Sequence, residues 1–179
     1  AEVGLERGWL TKDQILDQTL NWYKPPDSEA IAETGIENHW FSYYSKWTPQ
    51  ENFYYCAKHL GFNTNDEGRT ECTYNKYVSL DDKLDGFHFY LGYMKFGLGR
   101  CSRDAMQDIR RHHITRDEGV RLVQRYDHEF PKKHFDWFLK YLSISKEEFW
   151  EVMDFWREKS NAWKKTGSKW ELTKTVSDT

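Results

Sequence analysis

Residues 79–100, SLDDKLDGFHFYLGYMKFGLGR, carry the clearest periodic pattern in the chain. Apolar side chains recur there every three or four positions, as on one face of an α-helix. They are Leu80, Leu84, Phe87, Leu91, Met94 and Leu98. Three more aromatic residues lie off that stripe, namely Phe89, Tyr90 and Tyr93. The pattern predicts a core helix that is covered on more than one side.

Helix starts are marked by Ser or Thr with an acid or amide in the following turn, which satisfies orphan backbone donors at a helix N-terminus. The predicted starts are Thr11, Thr48, Ser79, Ser102, Thr115 and Ser145. We expect the first helix to run to about Tyr23, the second to Leu60 with Gly61 after its end, and the last to near Lys159. A further helix is expected from Pro131 to Leu142.

The segments between these helices predict little β-structure. The aromatic run within residues 38–46 has strand composition, and residues 63–73 are polar and predict a loop. Residues 164–174 place Thr-Gly-Ser between flanks rich in Lys and Trp, which indicates a small hairpin. We therefore expect a mainly α fold: a compact multi-helix domain with at most a short strand near 38–46 and a C-terminal hairpin.

A length of 179 residues suits one domain with its own core. Within a single helical domain, 1–179, we expect a helical lead-in over 1–35 and a possible strand, helix and loop over 36–78. The helical core should cover 79–160, followed by a tail over 161–179. The first residue is Ala1 rather than Met, which is compatible with a processed or truncated piece of a longer protein.

Composition excludes several classes of protein. The net charge is −3, with Lys and Arg scattered among acids, so we expect no nucleic-acid partner. No apolar run approaches the ~20 residues of a membrane-spanning helix, so we expect no membrane partner and a cytoplasmic location. The three cysteines, Cys56, Cys72 and Cys101, are widely spaced, which predicts reduced thiols rather than disulfides or a zinc site.

The end of the 79–100 stretch is a candidate anion site. Two glycines separate Lys95 from Arg100, and a new helix is expected to begin at Ser102. Two cations beside a glycine turn and a helix N-terminus suit a phosphate or a sugar carboxylate. The alternative is that the two cations pair with acids such as Asp104 or Asp108 and hold two helices together.

Histidines and aromatic residues give further candidates with alternatives. His88 is either a hydrogen-bonded core residue or a ligand-binding one. The cluster Tyr43–Trp47 could stack on a sugar ring and donate to its hydroxyls, or it could simply pack. The adjacent pair His112 and His113 cannot share a helix face and has no third ligand at suitable spacing, so no metal site is expected.

The middle helices are locally basic, which indicates either a solvated face or, less often, a docking surface. The side chains are Arg103, Arg110, Arg111, Arg116, Arg121 and Arg125. The chain has no SGGxDS-type loop, no GxxxxGKS loop, no GxGxxG after a strand and no nucleophile elbow. From these residues alone, the chain is a helical domain with one plausible anion pocket.

Seven motifs, in order from about residue 36 to 172, resemble the C-terminal half of N-acetyl sugar amidotransferases, which include lipopolysaccharide and pseudaminic-acid-type biosynthesis enzymes. They are YYSKWTP from Tyr43, SLDD from Ser79, GFHFY from Gly86, KFGLGR from Lys95, DIR from Asp108, ITRDEG from Ile114 and ISKEEFW from Ile144. Residues 1–35 match less clearly.

The resemblance implies an ATP-dependent reaction that converts a sugar acetamido group to an acetamidino group in surface-polysaccharide biosynthesis. It implies ATP with Mg as cofactor of a complete enzyme, an N-terminal pyrophosphatase-type ATP-binding domain, a separate glutaminase that supplies ammonia, and an N-acetylated sugar or sugar-nucleotide substrate. Because the ATP-binding loop is missing here, we expect no cofactor on this chain and no catalysis by it alone.

Within that scheme the expected substrate-binding residues are Lys46, Trp47, His88, Tyr90, Lys95 and Arg100. Lys95 and Arg100 would contact phosphate or the anionic sugar nucleotide, and the others would position the substrate. Two other functions stay open. One is a non-catalytic helical interaction module, and the weaker one is a helix-turn-helix regulator built on Ser102–Tyr126, which the acidic balance disfavours.

Overall fold

The computed structural model describes residues 2–8, 10–16 and 25–178. The chain divides into two compact units, residues 1–47 and residues 48–179. The candidate site lies in the second unit.

The described residues of the first unit form four short helices: α1 (Glu2–Glu6), α2 (Lys12–Leu16), α3 (Ser28–Glu33) and α4 (Phe41–Tyr44). Thr11 caps α2 as its sequence predicts, because its backbone amide donates to the Gln14 side chain at 2.9 Å and its hydroxyl accepts from the Gln14 amide at 3.3 Å. The expected continuation of this helix to Tyr23 lies outside the described residues.

The possible strand near 38–46 does not form, because α4 occupies the middle of that segment. The amide of Ser45 bonds the carbonyl of Phe41 at 3.1 Å, which closes a helical turn. A strand needs a neighbour for its backbone groups, and the only strand pairing in the described part of the chain is at the C-terminus. Aromatic composition favours a strand only where such a neighbour exists.

The second unit confirms the mainly helical fold with a small C-terminal hairpin. Its elements are α5 (Pro49–Leu60), α6 (Asp85–Phe96), α7 (Arg100–Arg110), α8 (Arg116–Tyr126), α9 (Phe135–Leu142), α10 (Lys146–Lys159), β1 (Trp163–Thr166) and β2 (Lys169–Leu172). The strands are antiparallel, with Trp163 opposite Leu172.

Three of the predicted helix starts in this unit are confirmed by their caps. The Thr48 hydroxyl accepts the Glu51 amide at 3.2 Å, and Gly61 ends α5 with φ of 70°. Reciprocal capping boxes begin α8 at Thr115 and α10 at Ser145. Each cap is completed within one turn, so it can be read directly from the sequence.

Two other starts are wrong because tertiary contacts take the groups a helix would need. Ser79 has φ of 57°, and its hydroxyl bonds Asp85, so α6 begins only at Asp85. The helix expected from Pro131 begins at Phe135. The Glu71 carboxylate accepts the amide of Lys132 at 2.9 Å, which anchors the preceding residues outside the helix.

The main core forms around α6, as the periodicity of its sequence predicts. Phe87 is 2% exposed and stacks on Phe138 of α9, with ring centroids 4.0 Å apart. Phe149 and Met153 bring α10 to the same cluster. Full burial of a side chain of this size contributes about 1.5–3 kcal/mol. The α6–α9–α10 packing is therefore the principal apolar support of this unit.

The predicted loop over residues 63–73 is confirmed, and a carboxylate that is distant along the chain holds it in place. Glu129 forms a bidentate pair with Arg69, both contacts at 2.7 Å, and accepts the Cys72 amide at 2.8 Å. The Thr73 hydroxyl then reaches Asp104 of α7 at 2.6 Å. These bonds fix the loop against α7 and so build one wall of the site.

Candidate functional site

Arg100 forms ion pairs with protein carboxylates, which is the alternative to a ligand-binding role. Its guanidinium lies 3.0 Å from Asp85 and 3.3 Å from Asp104, and it donates to the Ser79 hydroxyl at 3.0 Å. The side chain is 13% exposed, and its Cζ lies 4.1 Å from the centroid of the Phe89 ring. Arg100 therefore joins the start of α7 to α6 and to the loop before it.

Lys95 has different surroundings. Its side chain is exposed, and Nζ lies 5.3 Å from the ring centroid of Trp156 on α10. In the described part of the chain, no residue contacts both Lys95 and Arg100. The structure therefore does not place the two cations around one ligand.

The helix start expected at Ser102 is wrong by two residues: α7 begins at Arg100, after Gly99. Its N-terminus is already filled by an anion from the protein itself. The Asp127 carboxylate accepts the amides of Gly99 and Ser102, both at 2.9 Å, and the Ser102 hydroxyl at 2.7 Å. Asp127 is 5% exposed. The sequence predicts that a ligand supplies the negative charge here. In the structure Asp127, the C-terminal cap residue of α8, supplies it instead.

The other four predicted substrate-binding residues differ in their surroundings. His88 is exposed beside the edge of Phe89, whereas Tyr90 is 6% exposed in the core, where burial raises the pKa of its hydroxyl. Lys46 and Trp47 belong to the first unit, where Trp47 is 54% exposed. Their roles in substrate binding stay predictions.

A different feature of the second unit is an open cleft of about 580 Å³ between α5, the loop after it and the end of α7. Aromatic and amide side chains line it together with two carboxylates, a lysine and a histidine, including Gln50, Glu51, Phe53, Tyr74, Lys76, Tyr77, Asp108 and His113. Neither Lys95 nor Arg100 lines this cleft.

Asp108 organises the polar end of the cleft. The Tyr74 hydroxyl donates to Asp108 Oδ2 at 2.6 Å, and His113 Nδ1 lies 3.4 Å from Oδ1. Burial, followed by the hydrogen bond to Asp108, raises the pKa of Tyr74 far above its ordinary value, so this hydroxyl is a donor at neutral pH. The His113 side chain is 24% exposed, so its ring keeps access to the cleft.

Phe53 and Tyr77 form the aromatic wall. Their rings stack with centroids 4.5 Å apart and planes 5° from parallel. The Tyr77 hydroxyl donates to Gln50 at 3.1 Å, and the Gln50 amide donates to the Tyr54 hydroxyl at 2.6 Å. Burial raises the pKa of Tyr77 to about 12, which keeps it protonated. A chain of neutral donors and acceptors thus borders a flat aromatic surface.

This combination suits a carbohydrate better than an isolated anion. Aromatic faces pack against the apolar C–H face of a sugar ring, and planar carboxylate, amide and imidazole groups bond its hydroxyls and its acetamido group. Across residues 2–8, 10–16 and 25–178, no group of three His, Cys, Asp or Glu side chains is arranged to hold a metal ion.

Sequence reasoning missed most of this cleft. The sequence pattern suggests only a metal-ligand role for His113, and it indicates no binding role for Tyr74, Tyr77 or Asp108. The αL conformation of His112, with φ of 60°, ends α7 and places His113 beside Asp108. No signal in the sequence gives that conformation, because a non-glycine residue rarely adopts it.

Fold and site together define a mainly helical domain with a polar, aromatic-walled cleft. Residues 71–177 match a family described as "LPS biosynthesis protein WbpG-like, C-terminal domain". The chain belongs to that family. Membership places it in lipopolysaccharide biosynthesis. The match confirms the resemblance to lipopolysaccharide-biosynthesis enzymes. Comparison with curated proteins gave no significant match. None of the described helices combines the length and apolarity needed to cross a bilayer.

Proposed function

We propose that this chain is the C-terminal, substrate-binding portion of an ATP-dependent N-acetyl sugar amidotransferase that acts in the cytoplasm. The family match supports a role in lipopolysaccharide biosynthesis, and the ordered motifs support this particular reaction. The complete enzyme would add an N-terminal ATP-binding domain, use ATP with Mg, and receive ammonia from a glutaminase.

The reaction explains why ATP is needed. The acetamido oxygen attacks the α-phosphorus of ATP and releases pyrophosphate, because an amide oxygen is otherwise a very poor leaving group. Ammonia then attacks the acetamido carbon, the C–O bond breaks, and AMP leaves with that oxygen. Loss of a proton from the attacking nitrogen completes the acetamidino group. The chain described here contributes the binding of the sugar.

The observation that carries the proposal is the cleft at Asp108. Its aromatic wall is the stacked pair Phe53 and Tyr77, both half-buried, and at its polar end the His113 ring lies beside the buried Asp108 carboxylate. Neutral groups dominate the lining, as a neutral sugar requires. Lys95 and His88, both exposed, are the members of the predicted set available to a substrate phosphate in this unit.

The binding part of the proposal can be tested with the chain alone. UDP-N-acetylglucosamine and UDP-glucose, as probes, would be titrated into the chain and followed by calorimetry. We expect Tyr77→Ala to weaken binding of the N-acetylated probe about tenfold, the scale for one stacked ring. Tyr55→Ala is the control for loss of an aromatic side chain, because Tyr55 is a tyrosine of this unit that is 61% exposed and does not line the cleft, whereas Tyr77 is half-buried. Equal effects of the two variants would remove the cleft from the proposal.

The chemical part needs the complete enzyme supplied with ATP, ammonium and the sugar nucleotide. We expect AMP, pyrophosphate and a product whose mass reflects replacement of oxygen by NH. Asp108→Asn should slow turnover while unfolding of the variant stays cooperative. If the complete protein forms no acetamidino product and the chain binds no sugar, the non-catalytic interaction module replaces the enzyme portion as the function.

A further inference from the structure

A second concave surface lies between α7 and α8 and encloses about 520 Å³. Its apolar floor, called here the α7–α8 groove, is formed by Phe96, Leu98, Met106, Ile109, Val120 and Val176. Phe96, Leu98 and Met106 are 59%, 53% and 51% exposed. A contiguous exposed apolar surface of this kind marks an interaction site, because burying it against a partner would be favourable.

The charge around the groove has one sign. Arg103, Arg110 and Arg116 line it, and none of the described residues that line it is Asp or Glu. Arg103 and Arg110 are seven residues apart on α7, so they lie on one face about 10 Å apart. Arg116 stands at the start of α8 and donates to the Val176 carbonyl at 3.2 Å. The arginines are thus aligned along an apolar channel in a chain whose net charge is −3.

We propose that the α7–α8 groove docks an acidic amphipathic helix of a partner protein. The apolar floor would receive side chains spaced three and four residues apart, and Arg103 and Arg110 would pair with carboxylates along the flank of that helix. The length of α7, 11 residues, matches about three turns of a docked helix.

The shape of the surface favours a helix over a membrane. A lipid surface is met by cations and apolar side chains on a convex or flat face, whereas this surface is a channel between two helices. In the part of the chain that the structure describes, the groove and the cleft at Asp108 share no lining residue. Docking can therefore be tested without disturbing sugar binding, and it does not rest on the proposed function.

The test uses the full chain and a fluorescein-labelled synthetic helix with leucines along one face and glutamates on its flanks. Fluorescence anisotropy would measure binding to wild type and to Arg110→Glu and Met106→Gln. We expect Arg110→Glu to weaken binding about tenfold or more, as expected when a pairing charge is reversed. Arg121→Glu is the matched control, because Arg121 is exposed on α8 but does not line the groove.

A second peptide, with lysines in place of the glutamates, tests the charge requirement. Equal binding of the two peptides, or equal affinity of wild type and Arg110→Glu, would overturn the proposal. Phosphatidylglycerol vesicles serve as the membrane probe: arginine-dependent binding to vesicles without binding of the acidic peptide would also overturn it. Met106→Gln changes the floor without changing charge, so its loss of affinity, with circular dichroism unchanged, would confirm that the groove itself is occupied.

Discussion

The carboxylate of Asp127 lies directly against Gly99, whose amide it accepts at 2.9 Å. A Cβ atom on Gly99 would stand 2.7 Å from Asp127 Oδ1 and 2.9 Å from the Asp127 carbonyl oxygen. Gly99 has φ of −99° and ψ of −159°, which other residues adopt readily. Glycine is therefore required for close approach rather than for backbone freedom.

Gly99→Ala should destabilise the protein by about 1–3 kcal/mol, because the methyl group must displace buried backbone and a buried carboxylate. Urea unfolding followed by circular dichroism measures the change. Gly92→Ala is the control, since a Cβ there meets nothing closer than 4.0 Å and α6 gains a better helix former. A Gly99→Ala protein as stable as Gly92→Ala would contradict the steric argument.

Asp127→Ala should lower the free energy of unfolding by about 2–4 kcal/mol, because two backbone amides and a hydroxyl lose their acceptor at the start of α7. The measurement is again the free energy of unfolding in urea. Asp81→Ala, which removes an exposed carboxylate, should change that free energy by less than about 0.5 kcal/mol. If both variants behave alike, the Asp127 bonds contribute little to folding.

Glu129→Gln should reduce the loss of stability at acid pH. The hydrogen bond from Arg69 is the main cause that lowers the pKa of Glu129 below its ordinary value of 4.5. A lowered pKa in the folded state adds stability above the unfolded-state pKa, and that stability is lost as pH falls through the folded-state pKa. Unfolding free energies of wild type and Glu129→Gln, measured from neutral pH to below pH 4.5, should therefore converge in acid. A difference in unfolding free energy that stays constant over this pH range would show that protonation of Glu129 does not break its pair with Arg69.

Cys72 should resist alkylation in the native protein, and Cys56 should react first. Burial raises the pKa of Cys72 to about 12 and raises that of Cys101 further, so neither supplies thiolate at neutral pH. Cys56 is only half-buried. Iodoacetamide labelling followed by peptide mass spectrometry gives the order, and denaturant should equalise the three sites. Native-state labelling of Cys72 at the rate of Cys56 would be incompatible with this structure.

The helix boundaries show which predictions the sequence supports. Thr48, Thr115 and Ser145 begin helices because each cap oxygen finds its partner amide three residues later. Ser79 and Ser102 carry the same chemistry, but Ser79 bonds Asp85 and Ser102 bonds Asp127, which is 25 residues further along the chain. A rule based on near neighbours cannot detect that competition.

The candidate site also divides into contacts between residues close in sequence, which could be predicted, and contacts between distant residues, which could not. The sequence marked Arg100 as important and allowed an ion pair with Asp104, and the structure adds Asp85 as a second carboxylate. The cleft at Asp108 could not be predicted, because Tyr74 is 34 residues before Asp108 and reaches it only through a loop that Glu129 holds in place.

The sequence by itself determined the mainly helical fold, the α6 core stripe, the locally capped helices, the C-terminal hairpin and the resemblance to the family. These depend on periodicity and on bonds within one turn, which short stretches of sequence encode. Only the tertiary structure decided which carboxylate fills the start of α7, which partners hold Arg100, and where a cleft and a basic groove open. Those outcomes depend on contacts between residues far apart in the chain, and the packing of whole helices sets them.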